Sequence, residues 1–460
     1  MNYLVTLGPY QEEPVSIRMS AFEAFKRIYP FAKHVFLLES LGEDLPAGRQ
    51  EGKYNRFSYV GFDPVSHIVA KNGELFIDGR LVKTNDPYKY LEEMFPIDKH
   101  NNGFSGGLVG YVSHEGTRYF EPAFTPLPNG EFPDFEFGLY QDGLIFDKKT
   151  KKIVYFHHGI NRLSKLLSYL HGQGTLGEFD YKLINCGKTK EQHRKMVNKA
   201  LEYIRAGDIF QVVLSHKTHY IISGDLRRFY AVLRQVNPSP YMFFFKFSDR
   251  HVIAASPELL IRIKGRDVEH FGTLAGTIQR GETEALDETL AKTLLNDEKE
   301  RAEHMMLVDL ARNDVGKICE FGSVRVDKLL TVKRFSHVQH IYSEVRGRLR
   351  DDKNSFTALA ACFPAGTLTG APKIEAMKII NKLEGAARGP YGGVGGYITF
   401  NGDCMFALSI RSLFAVGNAA FTQTGSGIVM DSIPEKEYQE IINKQKAMEE
   451  ALRLAGARSG

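Results

Sequence analysis

Two pairs of glutamates have the spacing that places carboxylates on one face of a helix. Glu300 and Glu303 lie in one stretch of helical character, and Glu437 and Glu440 lie in another near the end of the chain. Residues three apart are neighbours on a helix surface. Two such pairs facing each other in a partly dry pocket would repel, and a hard divalent cation would remove that cost; oxygen-only ligands suit Mg²⁺. Spacing alone favours the alternative of ordinary solvated glutamates, because this pattern is common on exposed helix faces.

Three loops rich in glycine and threonine could hold an anion. They cover 274–277, 363–373 and 423–427, and the second leads directly into a predicted helix, where free N–H groups and the helix dipole would face a negative charge. None of them matches a Walker loop or a dinucleotide fingerprint. Together with Arg411 and Lys444 they would suit a substrate with more than one carboxylate, although each loop read alone is a structural turn.

The elements that must position these groups are short strands with turns in the first half of the chain and longer helices in the second. Gly207 is a predicted helix C-cap, and Asn401-Gly402 predicts a type I′ hairpin between strands over 393–400 and 404–416. Strands and helices without strict βαβ alternation predict an α+β fold, with a large, mostly antiparallel, sandwich-like sheet system and helices packed outside. The predicted helices cover 21–28, 159–171, 189–205, 225–235, 284–317, 355–362, 374–383 and 434–454.

Composition excludes several classes of protein. The 59 basic and 55 acidic residues leave a formal net charge of +4 over 460 residues, which indicates neither a nucleic-acid nor a membrane partner. No secretory signal and no apolar run of membrane-spanning length is present. The four cysteines (186, 319, 362 and 404) are far apart, with no C-x-x-C pair, which fits a reducing, cytoplasmic setting.

A Gly-rich stretch ending near 188 predicts a boundary between an N-terminal region, 1–188, and a catalytic region, 189–460.

Seven segments together resemble the chorismate-utilising enzymes, over nearly all of residues 190–455. They are Asp208-Ile209-Phe210-Gln211-Val212-Val213, Ala255-Ser256-Pro257-Glu258, Ala275-Gly276-Thr277, Glu300-x-x-Glu303-His304, Leu307-Val308-Asp309-Leu310-Ala311-Arg312-Asn313-Asp314, Gly366-Thr367-Leu368-Thr369-Gly370-Ala371-Pro372-Lys373 and Glu437-Tyr438-Gln439-Glu440.

Two positions indicate which branch of that family the chain resembles. Relatives that add water to chorismate carry a lysine base where this chain has Gln211, and glutamine fits ammonia as the nucleophile instead. Aminodeoxychorismate synthases usually carry a lysine where this chain has Ala275. The resemblance therefore implies the large subunit of anthranilate synthase, a lyase that converts chorismate and ammonia to anthranilate and pyruvate with Mg²⁺, in the first step of tryptophan biosynthesis. The alternatives are an aminodeoxychorismate synthase component I, an isochorismate or salicylate synthase, and a non-catalytic tryptophan-binding module.

The resemblance also implies roles for individual residues. Glu303 and Glu440 would bind Mg²⁺ directly, with Glu300 and Glu437 holding its waters. Glu258 would be the general acid for the departing 4-hydroxyl, ammonia would enter near Gln211, and His340 would assist the loss of pyruvate. The residues implied to hold the substrate are Thr277, Thr367, Tyr391, Arg411, Gly425, Gly427 and Lys444.

Two further segments resemble the tryptophan feedback site of anthranilate synthase large subunits. They are Leu38-Glu39-Ser40 and Asn237-Pro238-Ser239-Pro240-Tyr241-Met242-Phe243. The alternative for these segments is a strand end and a Pro-rich turn. The resemblance implies that tryptophan binds Leu38, Glu39, Ser40, Asn237, Pro238, Ser239, Tyr241 and Met242.

An ammonia-using enzyme needs a source of ammonia. A class I glutaminase needs a cysteine in a tight Gly-rich elbow with a partner histidine, and none of the four cysteines has that setting. The expected partner is therefore a separate glutamine amidotransferase subunit, which corresponds to component II of anthranilate synthase.

Overall fold

The computed structural model describes residues 4–41, 56–99, 103–334 and 338–457, without the side chains of 271–275, 277 and 338. The helices, numbered in chain order, are α1 (Ala21–Ile28), α2 (Pro87–Met94), α3 (Leu163–Leu170), α4 (Lys190–Ala206), α5 (Leu226–Val236), α6 (Glu284–Asn296), α7 (Glu298–Gly316), α8 (Ser355–Cys362), α9 (Lys373–Glu384) and α10 (Pro434–Gly456). None of the helices in the described part of the chain combines the length and the hydropathy that crossing a membrane requires.

The strands are β1 (Tyr10–Pro14), β2 (His34–Glu39), β3 (Phe57–Phe62), β4 (Ser66–Lys71), β5 (Glu74–Ile77), β6 (Arg80–Val82), β7 (Gly107–Val112), β8 (Phe135–Tyr140), β9 (Asp142–Asp147), β10 (Lys152–His158), β11 (Phe179–Asn185), β12 (Gln211–Gly224), β13 (Tyr241–Phe247), β14 (Arg250–Ser256), β15 (Leu259–Lys264), β16 (Asp267–Gln279), β17 (Arg325–Arg334), β18 (Val338–Arg348), β19 (Gly370–Ala371), β20 (Val394–Thr399), β21 (Cys404–Leu408), β22 (Ser412–Val416) and β23 (Ala419–Ile428).

These strands form two antiparallel sheets. The first has the order β1-β10-β9-β3-β2-β13-β14-β22-β23-β12-β11, with β19 paired to β12, and the second has the order β17-β18-β16-β15-β21-β20-β7-β8-β4-β5-β6. Early strands pair with late ones in both sheets, as β2 does with β13 and β7 with β20. The architecture confirms the predicted α+β fold, while the boundary near residue 188 stays a prediction.

The strand β13 shows how the core divides into layers. Phe243, Phe245 and Phe247 pack between the two sheets, whereas Met242 and Phe244 face the helices on the outside of the first sheet. Side chains alternate between the two faces of a strand, so a strand covered on both faces is apolar at nearly every position. The helices therefore lie outside the two sheets, as predicted.

The prediction of one long helix over 284–317 is wrong in one respect, because the segment forms two helices. Asp297 interrupts it in an extended conformation, and its carboxylate accepts a hydrogen bond from the backbone N–H of Glu300 (3.0 Å). An aspartate in this position is a helix N-cap and starts α7. The break places Glu300 and Glu303 in the first two turns of α7.

The strand predicted over 404–416 is also two strands, and the break has a consequence for the site. The segment β21 belongs to the second sheet and β22 to the first, so the chain crosses between the sheets at 409–411. Arg411 completes the crossing with a φ of +51°, in the left-handed region. The crossing thus places Arg411 in the connection between the two sheets rather than in the middle of a strand.

The hairpin predicted at Asn401-Gly402 is confirmed, but its type I′ turn is wrong. A type I′ turn needs positive φ at both central residues. Gly402 has a φ of +91°, and Asn401 is not in that region. The last strand pair before the loop is Ile398 with Cys404, so the connection is longer than two residues.

The predicted C-cap at Gly207 is confirmed by its left-handed conformation at the end of α4.

Candidate active site

The helices α7 and α10 bring the two glutamate pairs to face each other. The pKa of Glu303 is raised to about 7, first by burial and then by the negative charges of Glu300, Glu437 and Glu440. Burial and a neighbouring carboxylate on the opposite helix also raise the pKa of Glu300, and burial together with Glu440 raises that of Glu437. The four side chains therefore interact electrostatically across the two helices, which spacing alone did not establish.

Lysines supply positive charge at the edge of this cluster. Lys444 Nζ lies 2.5 Å from Glu440, and Lys299 Nζ lies 3.8 Å from Glu303. Within the described ranges of the chain, no three His, Cys, Asp or Glu side chains lie close enough together to hold one metal ion. The donor set itself fits a hard divalent cation, since it consists of carboxylates that repel one another. Metal binding by these four glutamates stays a prediction.

Glu258 is a buried carboxyl group beside the Gly/Thr-rich turn. It follows β14, is 6% exposed, and accepts a hydrogen bond from the hydroxyl of Thr367 (2.8 Å). Burial raises its pKa to about 8, against the opposing effects of the Thr367 hydrogen bond and the charge of Lys444. A carboxyl group that keeps its proton at neutral pH can act as a general acid.

Two cationic side chains reach the same region from β22 and α10. Arg411 donates from Nη1 to the backbone carbonyl of Lys444 (2.6 Å), and Lys444 Nζ donates to the carbonyl of Gly425 (3.1 Å). Burial lowers the pKa of Arg411, with Tyr391 and Glu440 opposing the shift. The two cations lie where carboxylate groups of a substrate could meet them.

Glycines on β23 leave room for the side chains around them. A Cβ at Gly425 would lie 3.0 Å from the hydroxyl oxygen of the buried Tyr391 and 2.9 Å from the carbonyl oxygen of Leu214. A Cβ at Gly427 would lie 2.7 Å from Nε2 of Gln211. Larger residues at these two positions would therefore displace Tyr391 and Gln211, the groups predicted to hold the substrate and admit ammonia.

Gln211 carries a polar atom with unused hydrogen-bonding capacity. The residue is 7% exposed, and among the described residues its Oε1 has no hydrogen-bond partner. A buried amide oxygen without a partner is costly. A ligand with N–H groups would satisfy it, as ammonia would.

His340 lies on β18 opposite Thr277 of β16. Its Nδ1 is 2.9 Å from the carbonyl oxygen of Gly276, and burial lowers its pKa to about 4, with Arg411 and Lys444 also disfavouring the charged ring. A neutral imidazole that donates from Nδ1 has its basic electron pair on Nε2. The backbone of Thr277 is in place beside it, while the Thr277 side chain lies outside the described part of the structure.

The two segments predicted to bind tryptophan meet at one end of the β2–β13 pair. Glu39 is paired with Met242, and the backbone N–H of Leu41 donates to the carbonyl of Ser239 (2.9 Å). The carboxylate of Glu39 accepts from the Tyr230 hydroxyl (2.8 Å).

The predicted tryptophan-binding residues do not all share one face of the sheet. Leu38 and Tyr241 pack towards the space between the sheets, whereas Met242 lies on the helix side. The carbonyl of Ser40 accepts from Lys148, and the hydroxyl of Ser239 donates to the carbonyl of Asn237 (3.2 Å). Pro238 lies in the same turn, directly after Asn237 at the end of α5.

Sequence reasoning missed a buried ion pair beneath the site, between Glu384 and Arg388. A charged residue inside the glycine-rich segment 385–393 was the available signal. Its partners come from distant parts of the chain, so no local pattern identifies them.

Comparisons with known proteins agree with this geometry. Residues 46–450 match the model of the chorismate binding enzyme family. The chain is 44% identical over 457 residues to "Anthranilate synthase component 1" of Methanothermobacter marburgensis, covering 98% of this chain and 97% of that protein, and 42% identical over 440 residues to "Anthranilate synthase component 1" of Leptospira biflexa, covering 94% and 93%.

Solved structures show the same fold. Anthranilate synthase component I from Streptococcus pneumoniae superposes with a TM-score of 0.78 at 37% identity, covering 85% of this chain and 92% of that one. The isochorismate synthase MenF of Escherichia coli superposes with a TM-score of 0.74 at 18% identity, covering 97% and 95%, which is a likeness of fold alone. This chain belongs to the chorismate binding enzyme family.

Proposed function

We propose that this chain is the chorismate-binding subunit of an anthranilate synthase and converts chorismate and ammonia to anthranilate and pyruvate. The observation that carries the proposal is the buried Glu258 carboxyl, which accepts a hydrogen bond from the Thr367 hydroxyl and lies close enough to Lys444 to feel its charge. That arrangement suits a substrate whose carboxylates are held by cations while one hydroxyl leaves with a proton. Gln211 supports ammonia rather than water as the nucleophile, because an amide cannot act as the base that activates water.

The side chains divide the reaction between them. Arg411 and Lys444 bind the carboxylates of chorismate, and Glu258 donates its proton to the 4-hydroxyl as the C–O bond breaks. Gln211 accepts a hydrogen bond from ammonia through Oε1 and holds it for attack on the ring. His340, neutral with Nε2 basic, takes the ring proton as the ring C–O bond to the enolpyruvyl group breaks. The released enolpyruvate takes up a proton at its methylene carbon and becomes pyruvate.

Magnesium belongs to this proposal as a cofactor of α7 and α10. Glu303 and Glu440 would hold the ion directly, and Glu300 and Glu437 would hold its waters. The raised pKa of Glu303 supports this, since burial first and then the negative charges of Glu300, Glu437 and Glu440 disfavour its ionised form, and a bound cation would offset both effects. When bound, Mg²⁺ supplies positive charge for the ring carboxylate and the departing hydroxyl.

Two partners complete the proposal. Chains related to this one are named "component 1", which supports a second component, and we propose a glutamine amidotransferase subunit that supplies ammonia. Tryptophan is the proposed inhibitor, supported by the junction of the 38–40 and 237–242 segments at β2 and β13. The four cysteines are unpaired, which supports a reducing, cytoplasmic setting.

One assay tests the activity. The purified chain is given chorismate, Mg²⁺ and ammonium salt at mildly alkaline pH, and anthranilate fluorescence is followed; the chain contains 0 tryptophans, which keeps the background low. We expect fluorescence that requires all three additions. A chain that consumes no chorismate, or that forms a product without ammonium, would contradict the proposal.

A further inference from the structure

A buried ion pair lies directly beneath the proposed substrate loops. Arg388 is 1% exposed, and it donates from Nε (2.9 Å) and Nη2 (2.6 Å) to the two carboxylate oxygens of Glu384, the last residue of α9. Removing both charges from water costs several kcal/mol per ion, and apolar residues of similar size often stabilise a core as well or better. The pair is therefore poorly explained by stability alone.

The guanidinium connects two parts of the site. Its Nη1 donates to the carbonyl of Leu368 (2.6 Å), next to Thr367, whose hydroxyl binds Glu258. Its Nη2 donates to the carbonyl of Val213 (2.7 Å), two residues along β12 from Gln211. One rigid side chain thus sets the distance between the turn that holds the proposed acid and the strand that holds the proposed ammonia contact.

The carboxylate of Glu384 extends this connection to β23. Its Oε1 accepts from both the backbone N–H and the hydroxyl of Ser215 (2.8 Å each), and Ser215 is paired with Gly425. The hydroxyl of Ser215 also accepts from Gln423 (2.7 Å). The strand positions around the proposed substrate contacts are therefore tied to the same ion pair.

The second sheet is attached through the backbone of Arg388. Glu115, in the turn after β7, accepts from the N–H of Arg388 (2.6 Å) and of Gly389 (2.9 Å). The guanidinium carbon lies 5.8 Å from the ring centroid of Tyr391. Both sheets, the substrate turn and Tyr391 thus converge on one buried residue.

We propose that Arg388 and Glu384 are positioning residues for the reaction, which fix the turn carrying Thr367 relative to the strand carrying Gln211. The inference rests on the proposed function. A lysine cannot replace Arg388, because a single ammonium cannot reproduce a planar fork that meets a carboxylate in two places and two carbonyls besides. A displacement of about 1 Å at a reacting group costs roughly 100-fold in rate.

The test compares Arg388→Lys and Glu384→Gln with a second bidentate pair elsewhere, in which the carboxylate of Glu136 is buried and the Arg250 side chain is 24% exposed. Arg250 donates to Glu136 through Nε (2.9 Å) and Nη2 (2.6 Å), and it begins β14, about 20 Å at strand spacing from Ser256 at the end near Glu258. We expect Arg388→Lys to lower kcat/KM for chorismate by roughly 100-fold. Arg250→Lys should lower the melting temperature while leaving kcat/KM within about twofold.

The pH dependence of kcat/KM gives a readout that a general loss of stability would not change. The Thr367 hydrogen bond lowers the pKa of Glu258, so loosening the Thr367 turn should shift the alkaline limb of the profile to higher pH in Arg388→Lys. The Arg250→Lys profile should match the parent. Glu384→Gln keeps the shape of the side chain and should show the same changes more weakly, which covers the case in which Arg388→Lys does not fold.

The outcomes separate this inference from the proposed function. If the parent makes anthranilate and folded variants of Arg388 and Glu384 keep its kcat/KM and pH profile, the positioning role is overturned. Equal losses in Arg250→Lys would overturn it as well. If the parent makes no anthranilate, the proposed function fails. The positioning role is then tested by measuring the affinity for chorismate by calorimetry, and an unchanged affinity in Arg388→Lys overturns it.

Discussion

Replacing Glu258 with glutamine should lower activity and raise stability at the same time. Burial raises the pKa of this carboxyl from an ordinary 4.5 to about 8, so the folded protein keeps a proton that the unfolded chain releases. The folded state then binds more protons across that window, and its stability relative to the unfolded state falls as pH rises from 4.5 towards 8. Glutamine keeps the shape and does not titrate.

The size of the effect follows from the pKa difference. One pKa unit corresponds to about 1.4 kcal/mol, so the stability of Glu258→Gln relative to the parent should grow by about that amount per pH unit across the window, with an upper limit of roughly 5 kcal/mol. Activity should fall by 10²- to 10⁴-fold, the usual contribution of a general acid. The parent should itself lose activity as pH rises through about 8.

Urea denaturation at several pH values and steady-state anthranilate formation measure the two halves of this prediction. Glu178, an exposed acid, provides a control as Glu178→Gln, for which neither quantity should change by more than experimental error. A stability difference between Glu258→Gln and the parent that does not vary with pH would refute the burial argument. Activity within about tenfold of the parent would refute the general-acid role.

Three further predictions concern the metal, ammonia and tryptophan. Glu440→Gln should raise the Mg²⁺ concentration needed for half-maximal activity at least tenfold, since it removes one of the oxygen ligands proposed for the ion. Glu435→Gln, in the first turn of the same helix and outside the proposed ligand set, should not, and an Mg²⁺ titration of activity distinguishes the two variants. Gln211→Leu should raise the KM for ammonium by roughly tenfold with little change in the KM for chorismate, because it removes only the proposed contact to ammonia. Equal rises in both KM values would contradict the proposal that Gln211 holds ammonia. Ser40→Phe should relieve inhibition by tryptophan in an assay at limiting chorismate, because Ser40 is buried and a phenyl ring there would displace the residues of the proposed tryptophan site. Unchanged inhibition would count against the proposed feedback site.

Local signals in the sequence predicted much of the fold. The helix over 21–28 has the predicted limits, because Ser20 caps its first turn and Pro30 follows its end. The break at Asp297 was missed because the leucines before it and the glutamate, lysine and arginine residues after it all favour helix, although an aspartate followed three residues later by Glu300 is the signature of a capped start.

The site divides in the same way between local and distant information. The E-x-x-E spacing predicted which glutamates share a face, but only the tertiary fold brings the two pairs within electrostatic reach of each other. Arg411 gains its place from a crossing between sheets, and Arg388 from contacts with residues 20 to 273 positions away along the chain. Contacts of that separation leave no periodic pattern to recognise.

The most direct test of the account is the identity of the product made with ¹⁵N-labelled ammonium. The parent chain, chorismate, Mg²⁺ and the labelled salt are combined, and the products are separated and weighed by mass spectrometry. The account predicts anthranilate carrying one ¹⁵N atom and an equal amount of pyruvate. Isochorismate, salicylate or a labelled product that retains the enolpyruvyl group would contradict it.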